Sequence, residues 1–587
     1  MRLNGSQIVA ESLLREGVEV IFGLPGGAIM PLYDVWPQYP QIKHVLVRHE
    51  QGAAHMADGY ARAKNTVGVC LGTSGPGATN LVTGILNAHM DSAPIVAITA
   101  NVASKFIGSD AFQEADITGI TIPVTKQNYL VRRVEDLARV MKEAFHIART
   151  GRPGPVHVDI PKDILVATTE FKYPDSVNLP GFQPSLEGNI AQIRKAVRLI
   201  EQAKRPVIIS GHGVLLSDAC AELKDLAEAT GIPVITTLLG ISSFPETHPL
   251  ALEMLGMHGW VHCNYAVHNS DLIIGVGNRF DDRACGDFER FAPHAKIVHI
   301  DIDPAEIGKN VKVDVPIVGD VKRVLKKLRP EIGVCADKSE WIAQIDEWRR
   351  TYPPKRYPSD TPVLYQPQVI RALYEATLGD AIIVADVGQH QMFAAQHYTY
   401  TEPYSWMTSG GLGTMGFSLP AAIGAQFARP DKTVWCVIGD GCFQMVSQEL
   451  AVMAIEKVPV KVALINNGYL GMVRQWQERF FDHNYSQVNL EGPPDFVKLA
   501  EAYGIPAWRV KRPQEMAQAI GAAMAYAGPA LIDFRVSREE NVMPMVVPGT
   551  SLAEVIPDEA YVGGDSGEQS VHAESRSELV PSAGLRH

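Results

Sequence analysis

Twelve short β-branched and aliphatic runs, each separated from the next by a helix-length amphipathic stretch, constrain this chain more than any other feature. The first group holds HVLV (44–47), VGVCLG (67–72), PIVAITA (94–100) and PVHVDIP (155–161). The second holds PVIISG (206–211), PVITTL (233–238), DLIIGVG (271–277) and KIVHIDID (296–303). The third holds AIIVADVG (381–388), TVWCVIGDG (433–441), KVALINNG (461–468) and ALIDFRV (530–536). A strand that is apolar on both faces must be covered on both, and intervening helices return the chain in the same direction. The pattern predicts an α/β protein of three doubly wound parallel-sheet domains, a number that 587 residues can fill. The Pro/Gly/Ser-rich segment 173–190 and the Pro-rich, basic segment 350–367 read as linkers. They give expected domains at 1–172, 190–345 and 366–555, with a flexible polar tail at 562–587.

Composition narrows the functional classes. A net charge of −12, spread along the chain, argues against nucleic acid as a partner, because phosphate binding needs a basic face. The 7 cysteines are scattered without a C-x-x-C pair and read as free thiols in a reducing compartment. The N-terminus enters an amphipathic helix at once, without the pattern of a signal peptide. The longest uncharged stretches, 65–90 and 403–428, are broken by Gly, Pro, Ser and Thr, so no membrane span is expected. The expected location is the cytoplasm.

In open α/β sheets ligands sit outside the carboxyl ends of the strands, so each strand end is a candidate site. The strand 433–439 stops at Gly439-Asp440-Gly441. An isolated G-D-G is better read as an Asp capping the next helix. Here 24 residues (442–465), room for a helix and a crossover, separate the G-D-G from Asn466-Asn467, on which the next apolar run ends. Asp440, the Asn467 amide oxygen and a nearby backbone carbonyl then make an oxygen set suited to Mg²⁺ and phosphate. Glu50 follows the strand 44–47 and opens an Ala-rich helix; it is either a first-turn Glu favoured by the helix dipole or a catalytic carboxyl group. The Gly-rich turn GTSGPGATN (72–80) lacks both a Walker lysine and dinucleotide spacing.

Taken together, G-D-G with its N-N, Glu50 and TSGPGATN resemble the thiamine diphosphate-dependent 2-oxo acid decarboxylases and carboligases. Within that superfamily the chain resembles the acetohydroxyacid (acetolactate) synthase catalytic subunits over about residues 5–555. The segments that carry the likeness include FGLPGGAIMPLYD (22–34), GNRFDDR (277–283), DVGQHQM (386–392), SGGLGTMGFSLPAAIGA (409–425) and NNGYLGMVRQWQ (466–477).

The resemblance implies a pyrimidine-binding first domain, a central FAD-binding-like domain and a diphosphate-binding third domain. It assigns Glu50 to the aminopyrimidine ring, where it promotes formation of the thiazolium ylid. Asp440, Asn467 and the Tyr469 carbonyl would hold Mg²⁺. Gly388, Gln389, His390, Gly441 and Cys442 would contact the diphosphate, and Gly413 and Met415 the pyrimidine. Gly27, Phe112, Gln113 and Lys126 match positions around the reacting centre, with Arg283 and Trp476 meeting the second substrate. Arg283 and Trp476 taken alone would read as a surface ion pair and a core aromatic.

FAD, expected to be structural, would lie on Arg152, Gly211, Gly213, Thr236, His258, Gly277, Arg279, Asp301, Ile302 and Asp320. The implied reaction decarboxylates pyruvate and transfers a hydroxyethyl carbanion. The acceptor is a second pyruvate, giving 2-acetolactate, or 2-oxobutanoate, giving 2-aceto-2-hydroxybutanoate. This is the first common step toward branched-chain amino acids such as isoleucine and valine. The family also implies a homodimer or homotetramer with sites at the subunit interface, often with a small regulatory subunit.

The rivals are a glyoxylate carboligase-like enzyme, which would lack Glu50, and a pyruvate oxidase-like enzyme, which would use its flavin for redox work. Three positions depart from the family pattern: ITAN (98–101), Cys442 and Gly468.

Overall fold

The computed structural model describes residues 1–558. The tail expected at 562–587 lies outside the described residues. In the first third of the chain eight strands form: β1 (Arg2–Asn4), β2 (Val20–Gly23), β3 (Lys43–Leu46), β4 (Gly68–Gly72), β5 (Ile95–Asn101), β6 (Gln127–Leu130), β7 (Val156–Pro161) and β8 (Thr168–Glu170). β1 and β8 make a short antiparallel ribbon, and the other six make a parallel sheet in the order β3-β2-β4-β5-β7-β6. The middle third forms β9 (Pro206–Ser210), β10 (Val234–Thr236), β11 (Ala251–Met254), β12 (Leu272–Val276), β13 (Lys296–Asp301) and β14 (Val315–Val318). Their order is β11-β10-β9-β12-β13-β14. The last third forms β15 (Ala381–Ala385), β16 (Trp406–Thr408), β17 (Thr433–Gly439), β18 (Lys461–Asn466), β19 (Ala507–Val510) and β20 (Ala530–Arg535), ordered β16-β15-β17-β18-β20-β19.

The predicted α/β class of three parallel sheets is therefore what the chain adopts. The first and third sheets share one strand order, and the middle sheet has the dinucleotide-binding order. Each has a switch point near its middle, between β2 and β4, between β9 and β12, and between β15 and β17; the first and third sheets also turn back at their far edge, where β7 and β20 insert inside β6 and β19. The three switch points mark where each sheet can bind.

The strand runs of the sequence differ from the sheets in two ways. PVITTL is a strand only over Val234–Thr236, because the Thr237 side chain caps a tight turn at Leu238–Gly240 and pulls the chain out of the sheet. The strands β2, β6, β11, β14, β16 and β19 are three or four residues long, too short to show a period in the sequence.

One packing contact governs how the first and third parts of the chain meet. The helix Glu50–Lys64 is buried on every side; of its residues only Gln51 and Lys64 escape burial. It lies against the helix Ser418–Ala428, backbone on backbone. A Cβ on Gly59 would sit 2.0 Å from the Ala421 carbonyl oxygen, and one on Gly424 1.9 Å from that of Met56. Glycine at both positions permits that approach.

After β20 the chain runs back to the middle sheet. Val546 donates its amide to the Met257 carbonyl (2.7 Å), and Asp287 its amide to that of Thr550 (3.0 Å). Among the described residues no helix is long and apolar enough to cross a membrane.

Candidate active site

At the third sheet's switch point two helices begin side by side, Gln389–His397 after β15 and Asp440–Val446 after β17. Their amino ends face one crevice, which suits a phosphate group. Gly388 has φ +151°, and Gly439 has no room for a Cβ, which would lie 2.7 Å from the His390 ring. Burial lowers the His390 pKa to about 4, so the ring is neutral, and its Nε2 has no protein partner. Asp440 is buried with no basic side chain bonded to it, and burial raises its pKa to about 7. β18 runs beside β17 with Gly439 opposite Ile465, which brings Asn467 to the same end of the sheet as Asp440. The Asn467 Oδ1 accepts the Tyr469 amide (3.0 Å), and its Nδ2 donates to Gln389 Oε1 (3.3 Å). A buried carboxylate with no basic side chain bonded to it, an amide oxygen and a loop carbonyl form an all-oxygen set that fits Mg²⁺.

Above this crevice lies the loop 409–415. Gly413 has φ +73°, and the Met415 Cε lies 3.7 Å from where a Gly441 Cβ would sit. Gln389 is fixed from beneath, donating to Gln475 Oε1 (2.9 Å) and the Glu540 carbonyl (2.8 Å).

Asp386, at the end of β15, has no exposed surface. Its carboxylate accepts the amides of Val387, Gly416 and Ser418 at 2.8–2.9 Å. Asp386, His390 and Cys442 bring ligand-type atoms within 4.8 Å of one another, but the carboxylate is already committed to amides. This group is a structural knot under the crevice; the Cys442 thiol also donates to the Val387 carbonyl (3.2 Å).

The first sheet's switch point holds the other candidates. Glu50 is 4% exposed, and its Oε2 accepts from Asn80 Nδ2 (2.9 Å). Oε1 faces Gly77, where a Cβ would lie 3.2 Å away. Gln113, with φ +60°, packs against Gly75 of the same Gly-rich turn. Gly27 faces open space, and Phe112 is 89% exposed.

Lys126 is not at this pole. Its ammonium donates to the carbonyls of Ile147 and Thr150, at the end of the helix Leu137–Arg149, and burial with the nearby Arg152 lowers its pKa to about 7.

The middle sheet opens onto a cavity of about 870 Å³, within the range of cofactor pockets. Arg152, Gly213, His258, Gly277, Arg279, Asp301, Ile302 and Asp320 line it, and so do Arg283, Gly413 and Trp476. The cavity thus runs from the middle sheet to the 409–415 loop. Gly211 lies behind the wall, where a Cβ would lie 2.3 Å from the Gly277 carbonyl oxygen. Thr236 also lies behind it, donating to the Glu253 carbonyl (3.4 Å). Arg152 is paired with Glu306 (2.6 Å) and Asp303 (3.3 Å). The strand order, the β9 and β12 glycine turns and a carboxylate at the β13 end (Asp301) fit a dinucleotide such as FAD. The Arg283 guanidinium lies 6.0 Å over the Trp476 ring.

Sequence reasoning missed Asp386, Asn80 and Glu449. Asp386 could have been found by the rule that found Asp440, since it too ends a strand and stands before a glycine two positions on. Glu449 accepts the Arg48 amide (3.2 and 3.3 Å) just ahead of Glu50, and no local pattern announces that contact.

Three thiamine pyrophosphate enzyme family models match the chain: the N-terminal TPP binding domain over 3–120, the central domain over 193–328 and the C-terminal TPP binding domain over 386–534. An acetolactate synthase large subunit of Mycobacterium tuberculosis is 52% identical over 564 residues, covering 94% of this chain and 91% of the relative. One from Corynebacterium glutamicum is 49% identical, covering 94% and 90%. A probable acetolactate synthase large subunit of Methanococcus aeolicus is 46% identical, covering 94% and 95%.

Proposed function

The chain belongs to the acetolactate synthase large-subunit family of thiamine pyrophosphate enzymes, and from that premise we propose how its own residues divide the work. The reaction is that of the family. Pyruvate loses carbon dioxide, and its two-carbon remainder joins a second pyruvate, giving 2-acetolactate, or 2-oxobutanoate, giving 2-aceto-2-hydroxybutanoate. It opens branched-chain amino acid synthesis.

When bound, thiamine pyrophosphate supplies the carbanionic carbon that this chemistry needs. Glu50 exchanges the activating proton with the pyrimidine ring through Oε1, since Asn80 occupies Oε2. Asp440, Asn467 and the Tyr469 carbonyl hold Mg²⁺, which anchors the diphosphate and takes no part in bond making. Gly388, Gln389, His390, Gly441 and Cys442 wall the diphosphate. Gly413 and Met415 set the pyrimidine. Arg283 takes the acceptor's carboxylate, with Trp476 shaping the pocket beside it. Gly27, Phe112 and Gln113 come from a partner subunit, and the exposure of Phe112, Phe106 (46%) and Met445 (56%) suits such an interface. Lys126 joins them only if its ammonium turns away from the Thr150 carbonyl.

FAD fills the middle cavity in a structural role, and the domains divide at 1–172, 190–345 and 366–555. The relatives' name, large subunit, supports a small regulatory partner, and unpaired cysteines throughout suit the cytoplasm.

One observation carries this reading: a buried Asp440 with no basic side chain bonded to it, beside Asn467 at one switch point, and a buried Glu50 at the equivalent switch point of an identically ordered sheet. The test supplies purified protein, Mg²⁺, thiamine pyrophosphate and FAD with pyruvate, with and without 2-oxobutanoate. Both acetohydroxy acids should appear; peroxide formation or acetaldehyde alone would refute the reading.

A further inference from the structure

The helix Glu50–Lys64 carries a second charged group at its far end. Arg62 is 7% exposed and pairs with Asp58 (2.6 Å) and Asp91 (2.9 Å), neither more than 1% exposed. Its remaining nitrogen, Nη1, donates to the Thr408 carbonyl (2.9 Å), where β16 ends. Two buried carboxylates against one guanidinium leave one negative charge in excess, and that charge is met by donors outside the trio. Asp91 accepts the amides of Gly410 (3.1 Å) and Gly411 (2.6 Å). Asp58 accepts Asn87 Nδ2 (2.9 Å). Asn87 Oδ1 in turn accepts the hydroxyls of Ser409 (2.5 Å) and Thr414 (3.1 Å), and Ser409 Oγ accepts the Thr414 amide (2.8 Å). The donors to Asn87 Oδ1, and the amides that reach the Asp91 carboxylate, all belong to the loop that carries Gly413 and Met415.

We propose that Asp58, Arg62, Asn87 and Asp91 are positioning residues that clamp the 409–414 loop in the shape that receives the cofactor's pyrimidine. This rests on the site reading above. The helix then serves two sites. At residue 50 it offers its carboxyl group to the cofactor held by a partner subunit. Twelve residues, or about 18 Å, further along, it fixes the loop of its own chain. Each cofactor is thereby served by the first domains of both chains, one through Glu50 and the other through the clamp.

The test uses the full chain with Mg²⁺ and FAD, and measures thiamine pyrophosphate affinity for the wild type, Ser409→Ala, Asn87→Ala and the double variant. Each single change should weaken that affinity by about tenfold, with the KM for pyruvate unchanged at saturating cofactor. The double variant should be no more than about twofold worse than the weaker single, because both remove one shared contact. Should Asn87→Ala fail to fold, Ser409→Ala and Thr414→Val decide alone. Cofactor affinity within twofold of the wild type, with only a lowered melting temperature, would overturn the clamp. Asp440→Asn runs alongside: if it too binds thiamine pyrophosphate undiminished, the site reading itself falls and takes the clamp with it.

Discussion

At the scale of single residues, burial sets the chemistry of the carboxyl groups. Glu449 has no exposed surface, and burial raises its pKa to about 7, against the partial relief of the Arg48 and His49 amides and the Arg48 charge. A raised native pKa means the folded chain holds a proton that the unfolded chain has released. Ionising Glu449 therefore costs stability as pH rises from about 4.5 to about 7, and the cost is constant above that window. The stability of Glu449→Gln relative to the wild type should climb by up to about 3 kcal/mol across the window and then level off. Thermal unfolding in a pH series measures it; a difference that is flat with pH would contradict the assignment. Asp440 and Glu50 were legible in the sequence because each stands at the end of an apolar run, where a lone carboxylate needs a reason. Glu449 was not, because its partner lies 401 positions away. Lys126 was recognised by its motif, yet its ammonium caps helix carbonyls, a contact fixed by the fold around it.

Among elements, the crossing of the helices Glu50–Lys64 and Ser418–Ala428 depends on the absence of two side chains. Gly59→Ala would drive a methyl group into the Ala421 carbonyl, where backbone cannot yield cheaply, and should destabilise the protein by about 3 kcal/mol. Gly521→Ala, in the helix Met516–Ala525, meets nothing within 4 Å and should stabilise it by up to about 1 kcal/mol. Denaturant titrations of the two variants read both signs; equal effects would show that the crossing tolerates a methyl group. The long buried strands were legible because their apolar runs extend well past the turn residues around them. β6 and β19 were not: they lie at sheet edges and are largely polar on one face. The close approaches at Gly59 (to Ala421) and Gly424 (to Met56) left no periodic signal, since a small residue in an Ala-rich helix looks like any other.

For the whole molecule, the first and third sheets repeat one topology and present equivalent switch points, one with Glu50 and the other with Asp440 and Asn467. The three-sheet class could be read from the strand runs, but the shared strand order could not, because it depends on which strands pair and not on where they fall in the chain. Among the described residues no hydrogen bond or ion pair joins Glu50 to the Asp440 crevice within one chain; under the proposed function the two meet across a subunit boundary. Two inactive variants decide it. Glu50→Gln and Asp440→Asn, each prepared alone, should be without turnover. Mixed by co-expression, they should form hybrid dimers in which one site receives Glu50 from one chain and Asp440 from the other. Acetolactate formation should then recover to about a quarter of the wild-type rate, the share expected from random pairing with one intact site per hybrid. A mixture as inactive as its parents, with hybrid dimers confirmed by mass, would contradict a cofactor held between two chains.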